Sequence, residues 1–246
     1  MRLSIIIPVL NESQALPVLL ASLRPLLSQG CEVIMADGGS LDDTVDIARG
    51  AGLTLLHAAR GRARQMNAGA ARASGDVLLF LHADTGLPDG AVRLIAQALG
   101  RNGNDNDNGK HNPHNPHSTG NPPDTFCWGR FDVRIEGSAA MLPVIACMMN
   151  LRSRLTGIAT GDQAMFVTRA AFDALGGFPD QPLMEDIALS SRLRAMSRPA
   201  CIRRCVTTSG RRWETRGVWR TILLMWRLRF AYWRGVPAGE LAKAYR

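Results

Sequence analysis

Short apolar runs alternate with segments of helical spacing along the first hundred residues. The run 3–9 is apolar almost throughout, as in a strand buried on both faces of a parallel sheet. Strands are predicted at 3–9, 32–36, 53–56 and 76–81, and helices at 13–28, after residue 41, at 62–73 and at 91–99. Because strand and helix alternate, right-handed crossovers should build an α/β domain, a mostly parallel twisted sheet flanked by helices.

Residues 101–124 interrupt this alternation. They are rich in Asn, Asp, Gly, Pro and His, and since such a composition buries little apolar surface, we predict a flexible low-complexity insertion. Strands are predicted again at 126–135, 164–168 and 200–208, and helices at 139–155, 185–196 and 213–233. We therefore expect an α/β domain over 1–212 and a basic, Trp-rich helical tail over 213–246.

Composition narrows the class of protein. With 46% hydrophobic and 20% charged residues, the 246-residue chain is globular. Its formal net charge of +8 favours anionic partners such as a nucleotide diphosphate, a nucleic acid or an anionic membrane face. The five cysteines form no CxxC pair, the N-terminal apolar run is too short for a signal peptide, and no apolar stretch reaches the length of a membrane span. We predict a cytoplasmic protein, with contact to the cytoplasmic membrane face as an option.

Polar residues follow three predicted strands, and the carboxyl ends of parallel strands are where open α/β sheets bind ligands. Asn11 and Glu12 follow the first strand, and Asp37 and Gly38 follow the second. The segment 82–84 follows the fourth. Asp37 is either a turn residue or a carboxylate that accepts hydrogen bonds from a base or a ribose.

His82 and Asp84 are two residues apart, so their side chains should project to one side of an extended chain. Asp oxygen suits Mg²⁺ or Mn²⁺, and the imidazole tilts the choice toward Mn²⁺. Such a metal would neutralise a diphosphate and help it to leave. The alternative is that Asp84 caps the following loop and His82 packs against its neighbours.

Two further clusters carry polar and charged side chains. The helix that begins at Arg62 also carries Gln65 and Asn67, and it faces either phosphates or solvent. Glu185 and Asp186 begin another predicted helix. An acidic pair there either complements the helix dipole or supplies a general base that deprotonates an acceptor hydroxyl.

Taken in order, these motifs resemble those of GT-A glycosyltransferases of family 2. The matching segments are 8–12 (PVLNE), 37–40 (DGGS), 82–84 (HAD), 161–163 (GDQ) and 184–186 (MED). Three further segments are similar to a bacterial subgroup of radical-SAM/selenodomain-associated transferases, some of which are labelled arsenosugar-biosynthesis glycosyltransferases. These segments are 61–70 (GRARQMNAGA), 78–85 (LLFLHADT) and 209–213 (SGRRW).

The resemblance implies an inverting, hexosyltransferase-type enzyme that uses a nucleotide-diphosphate sugar and Mg²⁺ or Mn²⁺. It places Asp84, with His82, at the metal, and Asp186, with Glu185, at the acceptor as the catalytic base. The donor nucleotide site predicted from it comprises Pro8, Asn11, Glu12, Asp37, Gly38, Arg62, Gln65, Asn67, His82, Ala83 and Asp84. The diphosphate or the acceptor is expected to meet Gln163, Arg212 and Trp213.

Two positions depart from the family pattern. The metal motif usually begins with Asp, where this chain has His82, so Asp84 becomes the main predicted ligand. Processive synthases carry Gln-x-x-Arg-Trp, and this chain has Ser209 in place of the Gln, which argues against a processive polymerase. We expect a hydroxyl acceptor, either small or lipid-linked.

The tail interleaves Trp and Arg from Trp219 to Arg234, a pattern that fits a membrane surface, packing on the domain or a homodimer contact. Other functions share parts of the pattern. A nucleotidyltransferase would have a Gly-rich basic loop after the first strand, and a non-catalytic nucleotide-sugar-binding protein would have lost Asp84 or Asp186. A nucleic-acid binder ranks last, since no nucleic-acid motif accompanies the basic helix, and we predict no nucleic-acid partner.

Overall fold

One eight-stranded sheet organises the chain in the computed structural model, which describes residues 1–100 and 126–245. The strands are β1 Leu3–Val9, β2 Glu32–Asp37, β3 Thr54–His57, β4 Val77–Phe80, β5 Thr85–Gly86, β6 Trp128–Glu136, β7 Phe166–Thr168 and β8 Ala200–Ser209. Their order across the sheet is β3-β2-β1-β4-β7-β6-β8-β5. The predicted insertion 101–124 lies outside the described residues.

The half of the sheet formed by β1 to β4 is parallel, as expected where helices connect successive strands. β1 lies between two neighbours, with Ile5 opposite Val33 of β2 and Ile6 opposite Phe80 of β4. Both faces of β1 are buried, which is why its apolar run is nearly unbroken. The predicted α/β class with a mostly parallel sheet is confirmed.

The other half of the sheet is mixed. β7 is antiparallel to both β4 and β6, and β5 is antiparallel to β8, whereas β8 is parallel to β6. Thr85 of β5 lies opposite Thr208 of β8. This pairing brings the end of β8 beside the segment 82–84, so residues that are distant in sequence lie close together.

Several helices differ from the prediction: the one predicted over 139–155 begins at Leu142, and those at 169–174 and 238–245 were not predicted. The helices are α1 Leu16–Ser28, α2 Thr44–Gly50, α3 Arg62–Arg72, α4 Ala91–Ala98, α5 Leu142–Thr156, α6 Arg169–Ala174, α7 Glu185–Met196, α8 Arg211–Arg216, α9 Val218–Trp233 and α10 Ala238–Tyr245. The helix predicted from residue 13 begins at Leu16, because Pro17 fits a first helical turn, where its missing N–H costs no hydrogen bond. The single helix predicted over 213–233 is wrong: Gly217, with a φ of 83°, separates α8 from α9.

The tail packs on the domain through one side of α9 and α10. Leu228 of α9 and Leu241 of α10 are buried against Met184, which precedes α7. The other side of α9 carries an apolar stripe whose members are between 60% and 77% exposed: Trp219, Leu223, Trp226, Phe230 and Trp233. Across the two described stretches, 1–100 and 126–245, no helix is both long and apolar enough to cross a membrane. The predicted domain boundary at residue 212 falls within α8 and stays a prediction.

Candidate active site

A cavity of about 730 Å³ lies where several loops and helices meet. The charged part of its lining includes Glu12, His82, Asp84 and Asp162, with Arg212 from α8. The apolar part comes mainly from α5 and α9. The structure therefore brings together predicted site residues from the loops after β1 and β4 and from the segment after β8.

The loop after β1 is tied to the loop after β2. Asn11 has a φ of 55°, a conformation that few non-glycine residues adopt. Its N–H donates to Ser40 Oγ at 2.9 Å, and its Oδ1 accepts from the N–H of Leu41 at 2.8 Å. The N–H of Glu12 donates to Thr44 Oγ1 at 2.8 Å. These bonds hold the uncommon backbone at Asn11 and position Glu12 in the cavity wall.

Asp37, at the end of β2, is buried and closes a turn. Its carboxylate accepts hydrogen bonds from the backbone N–H groups of Gly39 and Ser40 and lies 3.3 Å from His57 Nδ1. Burial on its own raises the pKa of Asp37, but these hydrogen bonds bring it below the usual Asp value. The contacts show the turn role, and a hydrogen bond from a base or a ribose stays a prediction.

Gln65 of α3 supports both loops from beneath. Its Nε2 donates to the carbonyl oxygens of Val9 and Ala36, at 2.8 Å each, and its side chain is buried. Gly38 lies directly over this amide, where an added Cβ would come within 2.9 Å of it. Pro8, opposite Ala36 in the sheet, is half-buried. Gln65 is thus a positioning residue in the structure, and its predicted contact with a nucleotide stays untested.

The side-chain amides of two other predicted residues, Asn67 and Gln163, form hydrogen bonds within the fold. Asn67 Nδ2 donates to the carbonyl oxygen of Phe178, and Asn67 Oδ1 accepts from the N–H of the same residue. Gln163 is fully buried, with its Oε1 accepting from the N–H of Thr160 and its Nε2 donating to Asn150 Oδ1. Neither side chain presents a free amide to the cavity, so their predicted contacts with ligands stay untested.

The segment 82–84 joins β4 to β5. Ala83 is buried, whereas His82 and Asp84 line the cavity. The segment is a turn and not an extended strand, so the strand alternation predicted for it does not apply. His82 Nδ1 lies 3.3 Å from Asp162 Oδ1, and Nε2 is buried against Gly161, where a Cβ would come within 2.4 Å. Burial raises the pKa of Asp162, but the hydrogen bond from His82 and the charges of His82, Arg212 and Arg62 together outweigh this effect, and the pKa falls to about 2.

The cavity fits a divalent cation only if a ligand supplies further oxygen atoms. Within residues 1–100 and 126–245, no three His, Cys, Asp or Glu side chains converge on one point. Mg²⁺ is, however, often held by one or two carboxylates together with substrate phosphates. Asp84 meets this requirement, and it lies close enough to Glu12 to add to the rise that burial causes in the pKa of Glu12. His82 already contacts Asp162, so its role as a metal ligand stays a prediction.

The arginines of α8 are placed at the rim of the cavity. Arg211 Nη2 lies 3.6 Å from Glu12 Oε2, and the guanidinium of Arg212 lies 5.7 Å from the ring centroid of Tyr245 in α10. Trp213 lines the cavity and is half-buried. α8 therefore connects the loop after β1 with the end of the described tail.

The acidic pair predicted as catalytic begins α7. Met184, directly before it, has a left-handed backbone with a φ of 64°, and such strained residues cluster at functional sites. Asp186 Oδ2 accepts from the N–H of Gly161 at 2.8 Å, and Oδ1 accepts from the N–H of the following residue at 2.7 Å. Glu185 is buried and pairs with Arg62 at 3.2 Å. The pair therefore lies between α3 and the 3-10 turn Gly161–Gln163.

The surroundings of Asp186 raise its pKa above the usual Asp value. Burial raises the pKa of Asp186, the charge of Glu185 raises it further, and Gly161 and Arg62 offset only part of the rise. A carboxylate with a raised pKa accepts a proton more readily, as a general base must. Arg62, predicted at the donor nucleotide, also lies beside this acidic pair.

Sequence reasoning missed four charged residues of the cavity wall, Arg152, Asp162, Arg211 and Arg229. Asp162 lies within a matched family segment, and that position was the signal that could have identified it. Arg152 lies in the middle of α5 without any motif, and only the packing of that helix reveals it.

Solved structures share this architecture. TarS residues 1–349 from S. aureus superposes with a TM-score of 0.62 at 16% identity, over 85% of this chain and 61% of that one. The mannosyltransferase PcManGT from Pyrobaculum calidifontis, solved with GDP-Man and Mn²⁺, gives 0.59 at 19% identity over 99% and 68%. At these identities the similarity shows the fold, and the chain has the GT-A fold of these proteins.

Sequence comparison identifies the family. Residues 4–169 match the sequence model of Glycosyl transferase family 2, and the chain belongs to that family. Undecaprenyl-phosphate 4-deoxy-4-formamido-L-arabinose transferase from Yersinia enterocolitica is 32% identical over 109 residues, 39% of this chain and 33% of that protein. The Pseudomonas fluorescens protein of the same name is 35% identical over 108 residues, 39% and 32% of the two chains. The match therefore spans about a third of the length of these relatives.

Proposed function

We propose that the protein transfers a sugar from a nucleotide-diphosphate sugar to an acceptor hydroxyl, with inversion at the anomeric carbon. The observation that carries this proposal is the position of Asp186. Its carboxylate is fixed by two backbone N–H groups, and its pKa is raised by burial and by Glu185. A base of this kind removes the proton from the hydroxyl as it attacks, and a single displacement inverts the configuration.

The leaving diphosphate is proposed to lie beside Asp84. A bound Mg²⁺ or Mn²⁺ would neutralise the negative charge that develops on the diphosphate. Asp84, with Glu12 close by, would hold the cation, and Arg211 and Arg212 lie in the same cavity wall as further positive charges. The use of a divalent cation is supported by PcManGT, a protein of the same fold that was solved with GDP-Man and Mn²⁺.

We propose that one sugar is transferred per acceptor. The support is Ser209, which stands where processive synthases carry Gln. The Ser209 side chain is at the exposed end of β8 and accepts a hydrogen bond from the N–H of Arg211. Mass spectrometry of the product tests this point, and a ladder of added sugars would contradict it.

The test of the central proposal is a panel of nucleoside diphosphates and nucleotide sugars, with and without Mn²⁺, read by thermal unfolding. Stabilisation by at least one nucleotide sugar is expected. If none raises the Tm under any metal condition, the proposal is wrong. NMR of the product then gives the anomeric configuration, and retention instead of inversion would overturn the single-displacement mechanism.

The exposed stripe of α9 is proposed to contact an anionic membrane at its cytoplasmic face. Arg220, Arg227 and Arg234 accompany the exposed aromatic residues along the helix, and apolar residues beside cations suit an interface of anionic lipids. We expect co-sedimentation with phosphatidylglycerol vesicles, weakened by Trp219→Ser but not by Leu41→Ser, a control at an exposed leucine of the domain. A stable dimer by light scattering with no binding to vesicles would assign the stripe to a second subunit instead.

Two finer assignments are also proposals. Membership of the radical-SAM/selenodomain-associated subgroup is supported by the segments 61–70 and 78–85. A lipid-linked acceptor is supported by the names of the relatives, which specify undecaprenyl phosphate for those proteins.

A further inference from the structure

Two helices line the apolar part of the cavity with matching faces. From α5 come five residues at the spacing i, i+1, i+4, i+5, i+8: Val144, Ile145, Met148, Met149 and Arg152. From α9 come five at the same spacing: Thr221, Ile222, Met225, Trp226 and Arg229. This spacing selects one face of a helix. Each face is largely apolar and ends in an arginine.

Both arginines hold buried nitrogen atoms that make no hydrogen bond to the described residues. These atoms are Nε and Nη2 of Arg152 and Nε of Arg229. Buried polar groups in proteins are nearly always hydrogen-bonded. A guanidinium group binds a carboxylate or a phosphate through parallel hydrogen bonds. The donor set in this wall therefore suits an oxyanion.

Arg152 also lies close to the proposed reaction centre. Burial lowers the pKa of Arg152, and the charges of Asp186 and Asp162 offset only part of that effect. The two carboxylates thus attract Arg152 without a hydrogen bond to it among the described residues. An oxyanion bound here would stabilise the buried cation and would lie within electrostatic range of Asp186.

The apolar part of the cavity is continuous with the outside of the protein. Val144 and Met148 of α5 and Trp226 of α9 line the cavity, and each is at least half exposed to solvent. Four methionines, Met141, Met148, Met149 and Met225, contribute flexible side chains that adapt to chains of varied shape. A ligand with a long apolar chain has a path from the cavity to the surface.

We propose that the acceptor is an amphiphile whose apolar chain lies between α5 and α9 and whose oxyanion is bound by Arg152 and Arg229. A separate hydroxyl of this acceptor attacks the anomeric carbon, gives its proton to Asp186 and displaces the nucleoside diphosphate. This inference rests on the proposed function, because it names the acceptor class of the same site. Its failure is distinguishable from failure of that function, since donor binding is measured separately.

Titration calorimetry with the full chain tests the ligand class. The probes are farnesyl phosphate below its micelle-forming concentration, farnesol, glycerol 3-phosphate and inorganic phosphate. We expect farnesyl phosphate to bind at least tenfold more tightly than each of the others. Equal binding of farnesol would overturn the oxyanion site. Equal binding of either small phosphate would overturn the amphiphile, and would point to a free phosphate compound as the ligand.

Variants test the two arginines. Arg152→Gln and Arg229→Gln should each weaken farnesyl phosphate binding by tenfold or more and leave the affinity for farnesol unchanged. Arg24→Gln, exposed on α1 and outside the cavity lining, is the control and should change neither. Arg152→Lys keeps the charge without the planar group and should give an intermediate loss, which guards against a variant that fails to fold.

Two results would contradict the assignment of the arginines. One is unchanged farnesyl phosphate affinity in both Gln variants when thermal unfolding shows that they are folded. The other is an equal loss of affinity for the donor nucleoside diphosphate, because the arginines would then bind the donor. A chain that binds no nucleotide sugar but still binds farnesyl phosphate through Arg152 would refute the proposed function and not the amphiphile site.

Discussion

The two sides of the cavity are built differently. On the side of β1 and β2, nearly every polar group is held by a neighbour: Asn11 by Ser40 and Leu41, and Asp37 by its own turn. On the side of α5 and α9, buried guanidinium nitrogens of Arg152 and Arg229 have no hydrogen-bond partner among the described residues. The first side is preorganised by the protein's own hydrogen bonds, whereas the second presents hydrogen-bond donors of the two arginines and an apolar surface.

This difference indicates which substrate each side of the cavity binds. We propose that the donor binds the rigid side, which comprises the loops after β1 and β2 and the segment 82–84 and is called the donor wall, since precise placement of a diphosphate lowers the barrier to transfer. We propose that the acceptor binds the cavity faces of α5 and α9, called the acceptor wall, where adaptable methionines suit a ligand of variable shape. Asp186 lies outside both sides, between α3 and the 3-10 turn, where it accepts a hydrogen bond from the N–H of Gly161.

The largest expected effect comes from Asp186→Asn. Removing a general base should lower kcat by about 10² to 10⁴ while donor affinity stays within a few-fold. The measurement is transfer rate together with calorimetric binding of the nucleotide sugar. Asp173→Asn, at an exposed position of α6, is the control and should keep the wild-type rate. Transfer by Asp186→Asn at the wild-type rate would show that the base is another group.

Asp84→Asn tests the donor wall, and a loss of about 10² in kcat is expected if the cation is bound there. The diagnostic measurement is the Tm of the protein with a bound nucleoside diphosphate, with and without Mn²⁺. The wild type should gain Tm when Mn²⁺ is added, and the variant should not. The same nucleotide without metal is the internal control. His82→Asn separates the two members of the motif, since Asp84 should keep most of this gain in Tm. If His82→Asn abolishes it and Asp84→Asn does not, the assignment of the ligand is reversed.

Gln65→Leu should show that the donor wall depends on its internal hydrogen bonds. The substitution leaves the carbonyl oxygens of Val9 and Ala36 without their side-chain donor, which should lower the free energy of unfolding by about 2 kcal/mol. Donor affinity should fall in parallel, because both loops rest on this amide. Urea unfolding and calorimetry measure the two effects. Gln97→Leu, at an exposed position of α4, is the control. If Gln65→Leu is destabilised but binds the donor normally, the two loops do not contribute to donor binding.

The pH dependence follows from the raised pKa of Asp186. Its base form is lost as the pH falls through that pKa, so kcat/KM should drop about tenfold per pH unit on an acid limb that starts above the usual Asp range. A carboxylate with a raised pKa in the folded state destabilises the fold as the pH rises through that value. Asp186→Asn should therefore unfold at an equal or higher temperature near neutral pH. An acid limb at the ordinary Asp pKa would contradict the environment described for Asp186.

The sequence predicted the donor wall better than the acceptor wall, for a physical reason. β1, β2 and the segment 82–84 carry their signals in consecutive residues, so an apolar run followed by polar residues shows where a strand ends. Arg152 acquires meaning only through the packing of α5, which local spacing does not encode. The partners of Gln65 and Asn67 are likewise residues distant in sequence, so the positioning role of both amides was not predictable.

The smallest predicted effect concerns the break between α8 and α9, which sets the direction in which α9 passes along the cavity. Gly217 has a φ of 83°, and Gly217→Ala should destabilise the protein by about 1 kcal/mol, because a Cβ disfavours that conformation although nothing lies within 4 Å. Gly239→Ala, inside α10 and also in open space, should instead stabilise it by up to about 1 kcal/mol through helix propensity. The pair isolates backbone conformation from packing, since neither new methyl group meets a neighbour. If urea unfolding shows that both variants stabilise the protein, α8 and α9 form one continuous helix in solution. The description of the acceptor wall would then be wrong.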